Sequence, residues 1–261
     1  MLTFKRVAKV FFLAVAMFAP MISIAVAQPA SPAPDAAALM AKFRTFMGWT
    51  LGDGSVLAIR IKGRIADQST FDEICEPSRF AQFSVGTASG RSFLVESGPG
   101  WGWVSHAGQP NDFPAAMAAD AFTEGLLLCN AFTTAYPAVA LTIDTKGSKG
   151  SRGQATLVGL SIPNEPSVLL QIDKQTGALI TVIVDNIATY RPAGLKDIGG
   201  GRKIYTIWKR ETSDTTTADM VISSIQLNVT VDPKIFYRTA LDAPPPPDLA
   251  PTVNLASPNA P

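Results

Sequence analysis

The chain has 261 residues, of which 47% are hydrophobic and 16% charged, with 22 basic and 21 acidic side chains. A nearly neutral chain without a basic run excludes nucleic acid as an expected partner. The length fits one globular domain, or one domain with tails.

The first 27 residues are predicted to be a secretory signal peptide. Three basic residues precede the apolar stretch 11–27, which ends in a small–x–small pattern, so cleavage is predicted between Ala27 and Gln28. A membrane anchor is the alternative, but the stretch is shorter than the about 20 apolar residues of a bilayer span, and Pro20 interrupts it. No later segment has the length and apolarity of a stable membrane span, so the mature protein is expected to be soluble and periplasmic or secreted.

Cys75 and Cys129 are an even pair in a chain bound for an oxidising compartment, which favours a disulfide between them. The chain-entropy model assigns about 4 kcal/mol to closing a loop of this length. Two buried free thiols are the alternative. No metal site is expected, because the one histidine is His106 and the cysteines lack ligand spacing, and no cofactor is predicted.

Proline-rich margins frame a domain predicted over residues 35–240. Residues 28–34 form a Pro/Ala linker. Residues 241–261 are predicted to be disordered, because they are rich in proline and poor in large apolar groups. A passive solvated tail and a tail that recruits a protein both fit this composition, and the sequence identifies no protein partner.

The folded part is predicted to be α+β, with an antiparallel sheet covered by two amphipathic helices. The helices are expected at 35–47, which Gly48 ends, and at 114–132. Apolar and polar residues alternate along 57–65, which predicts a strand with one buried face. Asp173–Gly177 predicts a tight turn between two strands of a hairpin. Further strand candidates lie at 80–85, 92–96, 101–105, 139–144, 155–162, 168–173, 179–185, 203–209 and 220–231.

A search for chemistry yields no catalytic residue. A histidine-based triad would have to use His106, and the chain has no G-x-S-x-G elbow. Asp67, Asp72, Glu73 and Glu76 crowd one segment that lacks the rhythm of a calcium loop. A solvated acidic loop is the simpler interpretation of that segment.

Five aromatic residues fall at strand spacing, and Trp101 and Trp103 are expected on the same face of their strand. An ordinary core explains them. They are also the candidate ligand-binding residues, because they would line an apolar pocket if the helices cover the sheet incompletely. The five are Phe80, Phe83, Phe93, Trp101 and Trp103.

The C-terminal half resembles LolA-like proteins, the periplasmic lipoprotein carriers and their relatives. Residues 167–180 are similar to their strand–turn–strand with an "iD..TG.l" core, and 190–194 resemble their "Y…..G" strand. Residues 222–236 resemble their last strand and its ending, through Asn228, Val231, Asp232 and Phe236. The resemblance implies an antiparallel half-barrel around helices, with an apolar cavity for acyl chains or another hydrophobic ligand. No functional residue of the carriers matches a position in this chain.

The leading hypothesis is therefore an exported, non-enzymatic protein that binds a lipid, an acyl chain or another hydrophobic molecule in an apolar cavity. The first alternative is a structural or envelope-associated interaction protein whose barrel is filled by its own side chains. A secreted hydrolase comes third.

Overall fold

The helix predicted near the start of the domain is present and ends at the expected glycine. The computed structural model describes residues 34–66, 69–86, 92–106, 109–132, 138–140, 155–162, 167–184, 187–212, 217–236 and 252–255, so the predicted signal peptide lies outside the described residues. Helix α1 spans Pro34–Met47 and buries Phe43 and Met47. Gly48 has a φ of 77° and donates its N–H to the Arg44 carbonyl at 2.8 Å, which ends the helix.

Six consecutive strands follow α1 and pair with their chain neighbours in antiparallel register. They are β1 (Ile59–Ile65), β2 (Ser69–Glu76), β3 (Arg79–Gly86), β4 (Ser92–Gly98), β5 (Trp101–His106) and β6 (Gln109–Asp112). Strand β2 corrects the acidic-loop interpretation. Its Phe71, Glu73 and Cys75 are buried on one face and Ile74 is buried on the other, because side chains alternate between the two faces of a strand.

Helix α2 spans Ala115–Leu128, four residues shorter at its end than predicted. Asn130 lies just beyond it with a φ of 48°. Its side-chain amide donates to the Trp49 carbonyl at 2.7 Å, and its own carbonyl accepts the Thr50 hydroxyl at 2.7 Å. Because these bonds tie the chain after α2 to the segment after α1, the helix stops there.

The second half of the chain is again a run of antiparallel strands. They are β7 (Ala138–Ala140), β8 (Ala155–Leu160), β9 (Val168–Asp173), β10 (Leu179–Val184), β11 (Ala188–Gly199), β12 (Arg202–Thr212) and β13 (Thr217–Leu227), followed by a 3₁₀ turn at Pro233–Phe236 and by β14 (Thr252–Asn254). The turn predicted between β9 and β10 is confirmed. The Asp173 carboxylate accepts the N–H groups of Gln175 and Thr176 at 2.8 and 2.7 Å, and Gly177 has a φ of 81°.

One antiparallel sheet contains all of these strands, in the order β6-β5-β4-β3-β2-β1-β13-β12-β11-β10-β9-β8-β7, with β14 beside β13. The pairing of β1 with β13 joins the early strands to the late ones. Helix α2 contacts β3, β4 and β5, whereas α1 contacts β7 and β12. The predicted α+β class, with an antiparallel sheet and two covering helices, is confirmed.

The sheet face covered by the helices, here called the inner face, carries the main core. Helix and strand aromatics meet there: the Phe43 and Phe132 ring centroids are 5.4 Å apart, and those of Phe80 and Phe122 are 5.5 Å apart. Side chains from both helices and from both halves of the sheet join one buried cluster. Burial of this apolar surface is the main force that holds the helices on the sheet.

A second, smaller core lies on the opposite face of β2 to β5, here called the outer face. The chain beyond β13 supplies its cover, because Ile235 and Phe236 of the 3₁₀ turn are both 6% exposed within this cluster. The Arg79 guanidinium lies 5.7 Å from the centroid of the Phe236 ring. The first half of the sheet is therefore covered on both faces.

The short C-terminal strand β14 pairs with the part of β13 that β12 leaves unpaired. Pairing of these two strands begins at Glu211–Thr217 and reaches Val221, and farther along β13 the partner becomes β14. Leu255 follows β14 and is buried in the main core, with its N–H donating to the Ser223 carbonyl at 2.6 Å. For residues 252–255 the structure thus differs from the predicted disorder, because Val253 and Leu255 supply apolar groups to an open strand edge. The rest of 241–261 lies outside the described residues.

The predicted disulfide between Cys75 and Cys129 is present. It links β2 to the residue that follows α2, and both cysteines are fully buried. The bond therefore fixes the C-terminal end of α2 on the inner face of the sheet.

Breaking this bond should loosen α2 from the sheet. Cys75→Ser is expected to lower the free energy of unfolding by about 2–5 kcal/mol, visible as a lower thermal midpoint by circular dichroism. Reductant should lower the midpoint of the wild type and leave that of the variant unchanged. Equal melting of the wild type with and without reductant would contradict the prediction.

No helix within the described part of the chain has both the length and the apolarity needed to cross a membrane.

Candidate functional site

The candidate site is the interior between α2 and the inner face of the sheet. Phe122 and Leu126 of α2 are completely buried there. The helix lies very close to β3, because a Cβ atom added to Gly125 would come within 2.3 Å of the Phe80 ring. Glycine at this position lets the helix backbone approach an aromatic ring directly. The interior beside α2 is therefore mostly apolar and tightly packed.

A polar cluster interrupts this apolar interior where side chains of α2 meet those of β11 and β12. The Tyr190 hydroxyl donates to Asp120 Oδ1 at 2.6 Å, and Arg210 Nη2 binds Asp120 Oδ2. Arg210 Nε lies 3.3 Å from Glu124 Oε1 and 3.3 Å from the Tyr190 hydroxyl. Asp120 and Glu124 are four residues apart, which places both on one side of the helix. One arginine thus pairs with two carboxylates.

The electrostatics of this cluster follow from its burial. Burial, together with the Asp120 carboxylate, raises the pKa of Glu124 to about 7, while Arg210 and Tyr190 oppose the shift. Burial also raises the pKa of Tyr190, with the neighbouring carboxylates acting in the same direction. For Arg210, burial lowers the pKa, but the contacts with Tyr190, Asp120 and Glu124 outweigh it and leave the pKa raised. The tyrosine is therefore a neutral donor and the arginine a permanent cation.

A further carboxyl group, that of Glu73, is buried on β2. It faces Ile61 on one neighbouring strand and Gln82 on the other, and its Oε2 atom lies 3.5 Å from the Gln82 amide nitrogen. Burial raises its pKa to about 8, a shift that the Gln82 hydrogen bond opposes and repulsion from Glu124 increases. Glu73 is thus protonated at neutral pH.

Glu73 also lies beside the disulfide, and its carboxylate and the sulfur atoms of Cys75 and Cys129 are within 4.8 Å of one another. Metal binding by cysteine requires a thiolate. Because the two sulfur atoms are bonded to each other, neither is available as a ligand in this form.

The five aromatic residues predicted to bind a ligand do not meet in one place. Phe80 belongs to the main core, and Phe93 is on the same sheet face, since it faces Ser84 and Ser84 faces Phe71. Phe83 and Trp103 instead contact the outer-face core with Ile235 and Phe236.

Trp101 is on the outer face too, as its two-residue spacing from Trp103 predicts. Its side chain is 40% exposed and lies over Gly98, where an added Cβ would come within 2.5 Å of the indole ring. Of the predicted residues, only Phe80 and Phe93 therefore face the helices. The side chain of His106 lies outside the described residues, although its backbone ends β5 as predicted.

Sequence reasoning missed the polar cluster and the buried Glu73. One signal was present in the helix pattern: Asp120 and Glu124 are acidic residues on the flank of an apolar helix face, four positions apart. Their partners, Tyr190 and Arg210, face each other on neighbouring strands far along the chain. Only the tertiary fold brings these pairs together.

The fold of this chain is similar to those of two solved structures. No protein-family model and no curated protein match this sequence. A domain from Vibrio parahaemolyticus, described as belonging to an outer membrane lipoprotein-sorting protein, superposes with a TM-score of 0.50 at 10% identity, over 77% of this chain and 95% of that domain. A LolA superfamily protein from Nitrosomonas europaea superposes with a TM-score of 0.51 at 14% identity, over 77% of this chain and 96% of that protein. By its fold, an antiparallel half-barrel with two helices on its inner face, this chain is LolA-like.

Proposed function

We propose that the chain is an exported, non-enzymatic binding protein that holds a lipid, an acyl chain or another hydrophobic molecule between its helices and the inner face of its sheet. The observation that carries the proposal is the composition of that interior. Both helices turn apolar side chains toward it, and among the described residues the cluster of Asp120, Glu124 and Arg210 pairs charged side chains of α2 and the sheet with each other. An apolar interior with few polar groups suits a ligand of this kind.

Two further observations support the same proposal. The fold is shared with a domain described as lipoprotein-sorting. The N-terminal sequence has the pattern of a cleaved signal peptide, which would place the mature chain in the periplasm or outside the cell, where such a carrier would meet its ligand.

A filled barrel acting as an envelope-associated interaction protein is the second candidate. The observation that favours it is the tight packing of the main core, in which Phe43, Phe80, Phe122 and Phe132 are each at most 2% exposed. Under this alternative the aromatic side chains contribute stability alone. Lipid retention distinguishes the two functions.

The test is native mass spectrometry of the full chain expressed into a bacterial periplasm with its own N-terminal segment. We expect a mass excess that organic extraction removes, on a mature protein that begins at Gln28. Extracted protein should then take up the apolar dye Nile red. A chain without a mass excess that also fails to bind the dye would exclude the binding function.

A matched pair of substitutions separates ligand contact from core packing. Phe80→Leu alters the inner face beside α2, whereas Phe83→Leu alters the outer face of the same strand. Each change should cost about 1 kcal/mol of stability, the usual size for a point substitution. We expect only Phe80→Leu to weaken lipid retention, measured by mass spectrometry at equal folded fraction. Equal retention by the two variants would assign Phe80 to the core alone.

A further inference from the structure

Trp208, in the middle of β12, has a buried hydrogen-bond donor without an acceptor. Its side chain is 2% exposed and belongs to the main core. Among the described residues, no acceptor lies within hydrogen-bond distance of its indole Nε1 atom. A buried N–H group without a partner costs about 1–3 kcal/mol, and native proteins keep few of them. Such a group on the inner face points to a bound acceptor.

The described neighbours of Trp208 do not supply an acceptor for its indole N–H. The hydroxyl of Tyr205, whose ring centroid is 5.7 Å from that of Trp208, is engaged with the backbone N–H and carbonyl of Leu179. By contrast, the buried indole of Trp49 donates to the Lys203 carbonyl at 2.8 Å. Within the described part of the chain, one buried indole thus has a backbone acceptor and the other has none.

The same strand face restricts the chemistry of the acceptor. Trp208 and Arg210 are two residues apart on β12 and therefore point to the same side of the sheet. Arg210 is already paired with Asp120 and Glu124, so this cluster offers no spare positive charge to a fatty-acid carboxylate. An unpaired carboxylate beside the apolar Met220, which faces Trp208 on β13, would be strongly disfavoured. A neutral carbonyl oxygen accepts a hydrogen bond without needing a positive charge nearby, and it can lie beside the apolar Met220.

We propose that the Trp208 indole N–H is the hydrogen-bond donor for the carbonyl oxygen of an acyl ester or acyl amide held on the inner face. This inference rests on the proposed binding function and refines it. The ligand class becomes a neutral acylated molecule, rather than a free fatty acid or a hydrocarbon without a carbonyl group. Trp208 would select the ligand, while the surrounding apolar side chains supply most of the affinity.

The test compares 1-palmitoylglycerol with 1-O-hexadecylglycerol, which share a headgroup and a chain length and differ in the carbonyl oxygen. Displacement of Nile red from the extracted full chain gives both affinities. The wild type should bind the ester about tenfold more tightly than the ether, the value of one good hydrogen bond. Trp208→Phe should bind the two equally, and the control Trp103→Phe, on the outer face, should keep the preference.

The outcomes separate this inference from the proposed function. If the wild type binds both lipids equally, or if Trp208→Phe keeps the preference, the role of Trp208 is wrong and the binding function stands. If the wild type binds neither lipid nor the dye, both the proposed binding function and the role of Trp208 are wrong.

A second measurement on the wild type does not depend on the folding of Trp208→Phe. In ¹⁵N-tryptophan-labelled protein, one indole proton should move downfield with the ester and stay in place with the ether. Trp49→Phe, Trp101→Phe and Trp103→Phe assign the other three indole signals, which leaves that of Trp208. A Trp208 proton that resonates as far downfield without lipid as it does with the ester would show an acceptor within the protein and overturn the inference.

Discussion

Replacing Arg210 by methionine should destabilise the protein by about 3 kcal/mol, since a partly buried ion pair would lose its cation. Methionine keeps much of the aliphatic part of the arginine side chain. The loss of stability therefore measures the removal of the charge rather than a change in side-chain volume. Without the guanidinium, Asp120 and Glu124 would be two neighbouring carboxylates in the interior, with the neutral Tyr190 as the donor that remains. Urea unfolding followed by circular dichroism measures the change.

Arg191→Met is the matched control for this substitution. Arg191 is on the neighbouring strand and forms an ion pair with Glu211, but both side chains are close to half exposed. An exposed pair is worth about 0–1 kcal/mol, so this variant should unfold almost as the wild type does. If the two variants lost the same free energy of unfolding, the polar cluster would not have the structural importance assigned to it.

The second large effect is a decrease in stability with rising pH that depends on Glu73. Its pKa is about 8 in the folded protein, against an ordinary value of 4.5. Between these values the folded state holds a proton that the unfolded state has released. The stabilisation is therefore fully present below about pH 4.5 and is lost as the pH rises through 8. Glu124, with a pKa of about 7, acts in the same direction.

Glu73→Gln tests this linkage because glutamine is a neutral group of the same shape. The free energy of unfolding of the wild type should fall by a few kcal/mol between pH 5 and pH 8.5, and the variant should show a clearly smaller fall. Ile74→Val, on the outer face of the same strand, should lose stability without changing the pH slope. An identical slope for the wild type and Glu73→Gln would show that Glu73 is ionised in the folded state.

The sequence predicted those parts of the fold that local patterns specify. The end of α1 follows from Gly48, and the turn between β9 and β10 follows from the Asp173 side chain and Gly177, all within a few neighbouring residues. The disulfide was predictable for a different reason, since two cysteines allow one intramolecular pairing and the predicted signal peptide favours an oxidised pair. The resemblance of residues 167–236 to LolA-like proteins anticipated the fold.

The parts that were not predictable depend on contacts between distant segments. Glu73 looked like one charge in a solvated acidic loop, because its burial requires α2 above it and Gln82 beside it. The strand pattern predicted that Trp101 and Trp103 share a face of the sheet. It did not predict that this face is the outer one. That assignment depends on which side of the sheet Ile235 and Phe236 cover, much farther along the chain.

The pairing of β1 with β13 also determines when the sheet can be completed during folding. Strands β1 to β6 are consecutive hairpins and can form as soon as they are synthesised, but the free edge of β1 has to wait for a strand made near the end of the chain. Contacts between such distant segments slow folding because a long loop must close first, and an open edge invites pairing with other chains in the meantime. The interval in which the β1 edge is exposed therefore ends only when β13, the last long strand, becomes available.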